Sequence, residues 1–324
     1  MAVEIILSDL TDLHLHLGSA STPHFLWELA HEQGIKLEHK DYWKFIESVR
    51  LRRKTTYEKY LSFFDLTELI QSSTYAVERA VHYAISHAYR TADIRTIEIR
   101  FNPMFRNRGG LADLDKIILG AVIGMKKATL DYPVRAGIIL MMDRRFNKKQ
   151  NLIIAQKAIK FRTDGVVGLD IAGPLNPNFK MDDIAEAVEC ARGGGLKITI
   201  HTGEVTSSAE VWEVLEKLRP DRIGHGIKSA GDKNLLRELA KRKVVLEVCP
   251  TSNIYTGAVK NWNEMADIID KLWHNRVLFT INSDGPELLD VSVKSEFEKL
   301  IEKRILTINQ VKLLIKQAKQ STFV

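Results

Sequence analysis

The sequence predicts a (β/α)8 barrel of the TIM type, an α/β fold in which eight parallel strands alternate with helices. Short segments rich in valine and isoleucine alternate with longer amphipathic ones, and eight such strand candidates occur along the chain. The 324 residues are 45% hydrophobic and 27% charged, as is usual for a soluble protein with a large core. We therefore expect residues 1–324 to form a single barrel domain.

Each predicted strand is a short apolar run that ends in polar or small residues. The candidates are Asp12 to Leu17, Ile94 to Phe101, Val134 to Met141, Val166 to Ile171, Leu196 to His201, Arg222 to His225, Val244 to Val248 and Val277 to Ile281. Helical periodicity fills most gaps, at Leu111 to Leu130, Asn151 to Phe161, Met181 to Arg192, Ser208 to Leu218, Lys233 to Lys241 and Trp262 to Trp273. Two more helices are predicted after the last strand, at Val293 to Lys303 and Ile308 to Gln320.

The first gap is much longer than one crossover helix requires. Its periodicity predicts helices at Pro23 to Gln33, Asp41 to Leu51 and Leu66 to Arg90. We interpret residues 22–91 as a folded helical cap, inserted after the first strand near the barrel mouth. Aromatic residues of this segment either line an apolar lid over a substrate or form the core of the inserted helices. They are Trp27, Tyr42, Trp43, Phe63 and Phe64.

Charge and cysteine content argue against several classes of protein. The net charge of +6 is dispersed, and the short basic runs lack the interleaved aromatic residues of a nucleic-acid track. Cys190 and Cys249 are the only cysteines, so neither a disulfide framework nor a thiolate zinc site is expected. No segment has the length and hydrophobicity of a membrane span, and Met1 to Leu10 does not resemble a signal peptide. We therefore expect a cytoplasmic protein without nucleic-acid or membrane partners, and the sequence leaves its oligomeric state open.

Polar residues at four predicted strand ends form a candidate metal site. His14 and His16 are two positions apart on the first strand, so both side chains project from the same face. His201 ends the fifth strand, His225 ends the sixth, and Asp284 follows the eighth. Active sites of such barrels lie at the C-terminal ends of the strands, where these groups would meet. Imidazoles and a carboxylate around an open position suit catalytic zinc, although other divalent metals also fit.

A carboxylate close to this cluster suits proton transfer. Glu204 follows His201 in the sequence His-Thr-Gly-Glu, and Gly203 permits a turn that directs the carboxylate inwards. Such a general acid or base contributes roughly 10²–10⁴-fold to a rate, while zinc lowers the pKa of a bound water to about 7. The fourth strand contains no lysine, which argues against two metals bridged by a modified lysine, so one metal ion is predicted.

The motifs resemble those of the adenosine deaminase family of the amidohydrolase superfamily. They follow the family order over nearly the whole chain: His14-Leu-His16, Gly168-Leu-Asp-Ile-Ala-Gly173, His201-Thr-Gly-Glu-Val, Ile223-Gly-His-Gly226, Cys249-Pro-Thr-Ser-Asn253 and Asp284 after the last strand. The resemblance implies a (β/α)8 barrel with one zinc ion per chain. It also implies that the substrate is a small amino-purine nucleoside, whose 6-amino group is replaced hydrolytically by oxygen with release of ammonia.

The resemblance also implies roles for individual residues. The implied zinc ligands are His14, His16, His201 and Asp284. Glu204 would protonate the ring nitrogen beside the attacked carbon, and His225 would orient the nucleophilic water. The backbone of Gly173 would approach the substrate ring, where a side chain would block it.

Two positions depart from the family pattern, and both concern substrate binding. Gly285 replaces a second aspartate that commonly contacts the purine, and Gly18, followed by Ser19, replaces an aspartate that commonly contacts the 5′-hydroxyl. We therefore predict an active deaminase with an altered substrate, such as methylthioadenosine or 6-aminodeoxyfutalosine. The alternatives are deamination of a free base such as adenine or a pterin, and a non-enzymatic binding protein, which the retained catalytic positions disfavour. Arg100 and Asn102, at the end of the second strand, either contact the substrate or anchor loops.

Overall fold

The computed structural model describes residues 7–107 and 113–324 and has the predicted (β/α)8 barrel. The strands are β1 Leu10–His16, β2 Ile94–Phe101, β3 Arg135–Asp143, β4 Val166–Ala172, β5 Lys197–Thr202, β6 Arg222–His225, β7 Val245–Val248 and β8 Leu278–Ile281. Neighbouring strands pair in parallel and in chain order. A bridge between Leu15 and Asp284 joins the chain after β8 to β1, so the barrel is nearly closed.

All eight predicted strands are confirmed, with small shifts at their ends. The helices are α1 Pro23–Glu32, α2 Tyr42–Val49, α3 Tyr57–Ile70, α4 Thr74–Ala92, α5 Leu114–Asp131, α6 Lys148–Lys160, α7 Asp182–Gly193, α8 Ser208–Lys217, α9 Lys233–Arg242, α10 Pro250–Tyr255, α11 Trp262–His274, α12 Pro286–Leu289, α13 Val293–Glu302 and α14 Ile308–Gln320. The predicted helix start at Leu111 and the first six residues of the chain lie outside the described residues. None of the described helices has the length and apolar composition of a membrane span.

The single helix predicted from Leu66 to Arg90 is wrong, because two helices occupy this region. α3 ends at Ile70 and α4 begins at Thr74. Ser73 is extended, with φ −151° and ψ 162°, and its side chain accepts a hydrogen bond from the backbone N–H of Ala76. A serine in this position satisfies a free N–H group at the start of a helix. Apolar periodicity continues across the break, so the periodicity alone does not reveal it.

The position of α3 is important for the site. α1, α2 and α3 form the helical insertion, and α3 packs against the turns that follow β1 and β2 at the mouth of the barrel. α4 packs against α5 and β2, as part of the outer ring of helices. α3 begins at Tyr57, earlier than predicted, because the side chain of Thr56 caps it.

Four of the five predicted lid residues, Trp27, Tyr42, Trp43 and Phe63, do not line the large cavity at the barrel mouth. Trp27 packs against a small apolar cluster formed by α1, α2 and the junction of α3 with α4, and Phe63 packs in a second cluster that includes Leu288. Trp43 is 72% exposed. Of the five aromatic residues, Phe64 lies against the large cavity described below.

Candidate metal and active site

Four histidines from three strands meet at the C-terminal end of the barrel. The ring centroids of His14 and His201 are 4.6 Å apart, those of His14 and His225 are 4.8 Å apart, and those of His16 and His201 are 5.1 Å apart. Gly224 makes this approach possible, because a Cβ atom there would lie 3.1 Å from the rings of both His14 and His201. The parallel strands thus bring together all four histidines that the sequence analysis selected.

Asp284 completes the cluster from the end of β8. Its Oδ1 atom lies 3.3 Å from His16 Nε2 and 3.7 Å from His14 Nε2. Its Oδ2 atom accepts hydrogen bonds from Ser252 Oγ at 2.5 Å and from the hydroxyl of Tyr60 at 3.4 Å. One carboxylate oxygen therefore faces the histidines, while two hydroxyl groups hold the other.

Two residues of the cluster have an uncommon backbone conformation. His225 has φ 62° and Asp284 has φ 60°, in the left-handed region that residues other than glycine rarely adopt. Backbone strain of this kind concentrates at functional sites, where the surrounding structure maintains it. His225 is the last residue of β6 and Asp284 lies three residues after β8, so this conformation occurs where the chain turns away from the barrel.

The cluster has the donor set of a metal site. The donor atoms of His14, His16 and His201 lie within 4.8 Å of one another, and so do those of His14, His225 and Asp284. Within the described chain, His14 Nε2 is buried and makes no hydrogen bond. Burial lowers the pKa values of His14, His16 and His201 well below their usual value, so the imidazoles are neutral, as metal ligands must be. Nitrogen and carboxylate donors in this arrangement fit zinc.

Two buried carboxylates, which the sequence analysis missed, orient two of the histidines. Glu247 Oε2 lies 2.7 Å from His14 Nδ1, and Asp170 Oδ2 lies 2.9 Å from His201 Nδ1. The guanidinium of Arg100 donates to both carboxylates, at 2.8 and 2.9 Å. This arrangement leaves Nε2 of each histidine for a metal and anchors the ring. Arg100 therefore anchors the site from below, a role that differs from both sequence interpretations, substrate contact and loop anchoring.

The only sequence signal for these carboxylates is an acidic residue inside an otherwise apolar strand. Asp170 lies between Leu169 and Ile171, and Glu247 lies between Leu246 and Val248. Isolated charges are seldom buried unless they are paired. Because the pairing partners are on other strands, only the folded barrel identifies them.

Glu204 and His225 lie side by side next to the cluster. Glu204 Oε2 is 3.7 Å from His225 Nε2, and the hydroxyl of Thr256 donates to Glu204 Oε1 at 3.1 Å. Asn253 Nδ2 lies 2.9 Å from His225 Nδ1, so Nδ1 accepts and the proton of the neutral ring is on Nε2. Burial raises the pKa of Glu204 to about 7 and lowers that of His225. A protonated carboxyl and a neutral imidazole can therefore coexist near neutral pH.

A cavity of about 280 Å³ lies above these groups, between α3 and the strand ends. Gly18 and Gly173 line it, together with Asn102, whose side chain also accepts a hydrogen bond from the backbone N–H of Met104. Gly173 has φ 103°, a conformation that favours glycine. Ser19 does not line this cavity, since its hydroxyl donates to the backbone oxygen of His16 beneath the loop.

Side chains of α3 fill the space next to Gly18 and Gly285, the two glycines that depart from the family pattern. A Cβ atom at Gly18 would lie 2.7 Å from Phe64 Cδ1. A Cβ atom at Gly285 would lie 3.2 Å from Ser19 Oγ and 3.3 Å from the hydroxyl of Tyr60. Tyr60 and Phe64 are one helical turn apart, so the same face of α3 meets both loops. Gly285 is covered by these groups and does not line the cavity.

A (β/α)8 barrel with histidines and carboxylates converging on a cavity at its strand ends defines a hydrolase of the amidohydrolase class. The chain belongs to the adenosine deaminase family, whose sequence profile matches residues 10–324. It is 29% identical to an adenosine deaminase of Vibrio vulnificus over 298 residues, covering 91% of this chain and 88% of the relative. It is also 29% identical to an adenosine deaminase of Clostridium kluyveri over 314 residues, covering 97% and 89%.

Solved structures with low sequence identity share the fold. An adenine deaminase from Arthrobacter aurescens superimposes with a TM-score of 0.88 at 21% identity, covering 98% of this chain and 94% of that one. An amidohydrolase from Burkholderia ambifaria with bound Zn has a TM-score of 0.87 at 22% identity, covering 100% and 87%. The Arabidopsis N6-mAMP deaminase has a TM-score of 0.84 at 21% identity, covering 99% and 95%. These likenesses confirm the barrel fold.

Proposed function

We propose that this protein is a zinc-dependent deaminase of an adenosine-type nucleoside. Water replaces the 6-amino group: the bond from C6 to nitrogen breaks, a bond from C6 to oxygen forms, and ammonia leaves. The carrying observation is that four metal-competent groups cluster beneath one cavity in a member of the adenosine deaminase family. His16, His201 and Asp284 line this cavity, together with an acid whose pKa is about 7 and a neutral imidazole.

One zinc ion per chain is part of this proposal. The ligands would be His14, His16 and His201, through neutral imidazoles, and Asp284, through Oδ1. Zinc bound there supplies Lewis-acid activation of a water molecule at neutral pH. The buried and unbonded Nε2 atom of His14 supports this proposal, as does the zinc in the Burkholderia amidohydrolase.

Glu204 would act as the general acid. With a pKa of about 7, a large fraction of its carboxyl is protonated at neutral pH, when it can donate to the ring nitrogen beside C6. Protonation of this nitrogen reduces the aromatic stabilisation of the ring, which otherwise opposes the addition of water at C6. Thr256 occupies Oε1 of Glu204, which leaves Oε2 on the side of His225.

His225 would orient the attacking water. Asn253 holds Nδ1, so Nε2 carries a proton that can be donated to an oxygen acceptor. An alternative is that His225 is itself a ligand, because its donor atom lies within 4.8 Å of those of His14 and Asp284. Zinc analysis of His225→Ala separates the two roles. We expect zinc to be retained, whereas His16→Ala should lose it.

For the substrate, we propose a 5′-modified adenosine such as methylthioadenosine or 6-aminodeoxyfutalosine. Gly18 contributes no side-chain acceptor to the cavity, and the ring of Phe64 lies against it. At position 18 the wall has no side-chain acceptor, so this position gives no advantage to a free hydroxyl over an apolar group. Gly173 is placed to let the base approach the backbone closely, since it lines the cavity without a side chain.

Ammonia release by the zinc-loaded protein tests the proposal. The panel contains adenosine, methylthioadenosine, 6-aminodeoxyfutalosine, AMP and adenine, with Glu204→Gln as the inactive control. We expect release from nucleosides, with 5′ modification tolerated. Release from adenine alone would identify a base deaminase, and strict dependence on a free 5′-hydroxyl would overturn the 5′ assignment. No release from any amino-purine would favour a binding protein.

A further inference from the structure

We propose that residues 321–324, here called the tail, form the outermost part of the metal site and position His14 from the opposite end of the barrel. The tail would act through a chain of buried ion pairs inside the barrel. The inference rests on the proposed zinc site, because it concerns how firmly one of the proposed ligands is held. Thr322 and Phe323 are positioning residues, since they contact Glu98 and Arg222 and not a proposed ligand.

The tail binds both members of a buried ion pair, Glu98 and Arg222. Glu98 Oε1 accepts hydrogen bonds from the hydroxyl of Thr322 at 2.8 Å and from the backbone N–H of Phe323 at 2.5 Å. Arg222 donates to the backbone oxygen of Ser321 at 2.8 Å, and its guanidinium lies 3.4 Å from the ring centroid of Phe323. Arg222 and Glu98 are themselves ion-paired and fully buried. The tail therefore fixes the position of this pair.

Arg222 passes this constraint on to Glu247, the carboxylate that holds His14. Arg222 Nε donates to Glu247 Oε1 at 2.6 Å, and Thr199 donates to the same oxygen at 2.9 Å. The other oxygen, Oε2, lies 2.7 Å from His14 Nδ1 and accepts from Arg100 at 2.8 Å. The two oxygens belong to one rigid carboxylate. Displacement of Arg222 from Oε1 would therefore also move Oε2, the atom that accepts the hydrogen bond from His14.

Buried charges make this coupling stronger than ordinary packing. Removing one partner of a buried ion pair leaves an uncompensated charge, and neighbouring charges rearrange to compensate. Loss of the tail contacts would leave Glu98 without two of its donors and Arg222 without one acceptor and its stacking ring. Substitution of residues that hold metal-binding histidines in place commonly lowers metal affinity by about 10–100-fold.

Two strand glycines lie against the tail, and the Cβ that each lacks would also meet a neighbouring strand, at Val167 or Lys197. A Cβ atom at Gly168 in β4 would lie 3.1 Å from the ring of Phe323. A Cβ atom at Gly137 in β3 would lie 2.7 Å from a methyl group of Val324. Glycine in the interior of a strand often marks a close approach of another segment. The barrel floor thus accommodates the tail as a specific part of the fold.

The test measures zinc release from the full-length, zinc-loaded protein into a chromogenic chelator. We expect Phe323→Ala and Thr322→Val to release zinc about tenfold faster than wild type. Phe323→Tyr, which keeps the ring, should behave like wild type. The matched control is Val311→Ala in α14, a fully buried apolar residue outside the ion-pair chain, which should lower the melting temperature without changing zinc release.

A second measurement does not depend on metal. In the metal-free protein, the ¹⁵N chemical shifts of the His14 ring report which nitrogen carries the proton. We expect a shift in Phe323→Ala and none in Val311→Ala. Wild-type rates of zinc release and unchanged His14 shifts in both tail variants would overturn the inference. A wild-type protein that binds no zinc would overturn the proposed function instead, and the His14 shifts would still decide whether the tail positions this ring.

Discussion

Burial shifts the pKa values of the acid and of the histidines in this site in opposite directions. Burial raises the pKa of Glu204 to about 7, whereas burial lowers the pKa values of His14, His16 and His201. In both cases the neutral form is favoured, because the low-dielectric interior penalises charge. The same physical effect therefore prepares bases for metal binding and an acid for proton donation.

Substituting the acid tests its role separately from metal binding. Glu204→Gln keeps the size of the side chain but removes the proton, so we expect kcat to fall by roughly 10²–10⁴-fold. Zinc content should stay at the wild-type level, because Glu204 is not among the proposed ligands. Ammonia release and metal analysis of the same preparation measure both quantities. Full activity in this variant would rule out Glu204 as the general acid.

The pH dependence should report the same group. If the protonated carboxyl of Glu204 is required, kcat/KM should fall as pH rises above about 7, where Glu204 loses its proton. The hydrogen bond from Thr256 lowers the pKa of Glu204, so Thr256→Val should raise this pKa and move the alkaline limb to higher pH. Profiles of wild type and Thr256→Val check the sign. A limb that stays in place or moves to lower pH would contradict this assignment.

At the scale of elements, α3 connects two features that are far apart in the sequence. Its residues Tyr60 and Phe64 fill the space beside Gly285 and Gly18, in the loops after β8 and β1. Both glycines depart from the family pattern, and one helix face meets them both. The two departures are therefore parts of one local packing arrangement.

A double-mutant cycle tests this packing. Gly18→Ala places a Cβ atom 2.7 Å from Phe64, so we expect it to lower the free energy of unfolding by about 1–3 kcal/mol. In a Phe64→Ala background the same change should cost less, with a coupling of at least 0.5 kcal/mol, the lower end of the range for residues in contact. Urea unfolding measures each variant. Gly193→Ala, where a Cβ atom would contact nothing within 4 Å, is the control and should be additive with Phe64→Ala. Additivity at Gly18 as well would contradict the predicted contact.

At the scale of the whole molecule, the proposed metal site would link strands from opposite sides of the barrel. The proposed ligands are on β1 and β5 and after β8, so a bound ion connects segments that are distant in sequence. An ion that binds only the folded state stabilises it by mass action, by about 4 kcal/mol at a thousandfold excess over Kd. Buried ion pairs of Arg100 and Arg222 extend from the histidines to the opposite end of the barrel, where the tail packs.

Metal removal should therefore destabilise the protein. We expect chelation to lower the melting temperature by roughly 5–15 °C, from the mass-action stabilisation and the size of the domain. His16→Ala should largely abolish this difference, while His24→Ala, whose side chain is 70% exposed, should preserve it. Calorimetry with and without zinc measures the effect. Equal melting temperatures for the loaded and chelated wild type would argue against a zinc ion held at this site.

The parts of the fold that follow local rules could be predicted from sequence. Apolar runs and helical periodicity identified all eight strands, and the rule that barrel sites lie at strand ends placed His16 and His225 on one cavity. Periodicity failed at Ser73, because the capping serine interrupts the helix without interrupting the apolar pattern. The sequence left open whether Phe64 lines a lid or a helical core, since an aromatic residue of an inserted helix is equally suited to both.

The sequence by itself determined the barrel, the order of its strands and the histidines that converge at its mouth, because periodicity and strand-end position are local properties of the chain. Only the tertiary structure decided which partners those residues meet. Glu247 was placed beside His14, Phe64 beside Gly18 and Phe323 beneath Arg222. Burial makes each of these contacts energetically significant, and burial depends on segments that are far apart in the sequence.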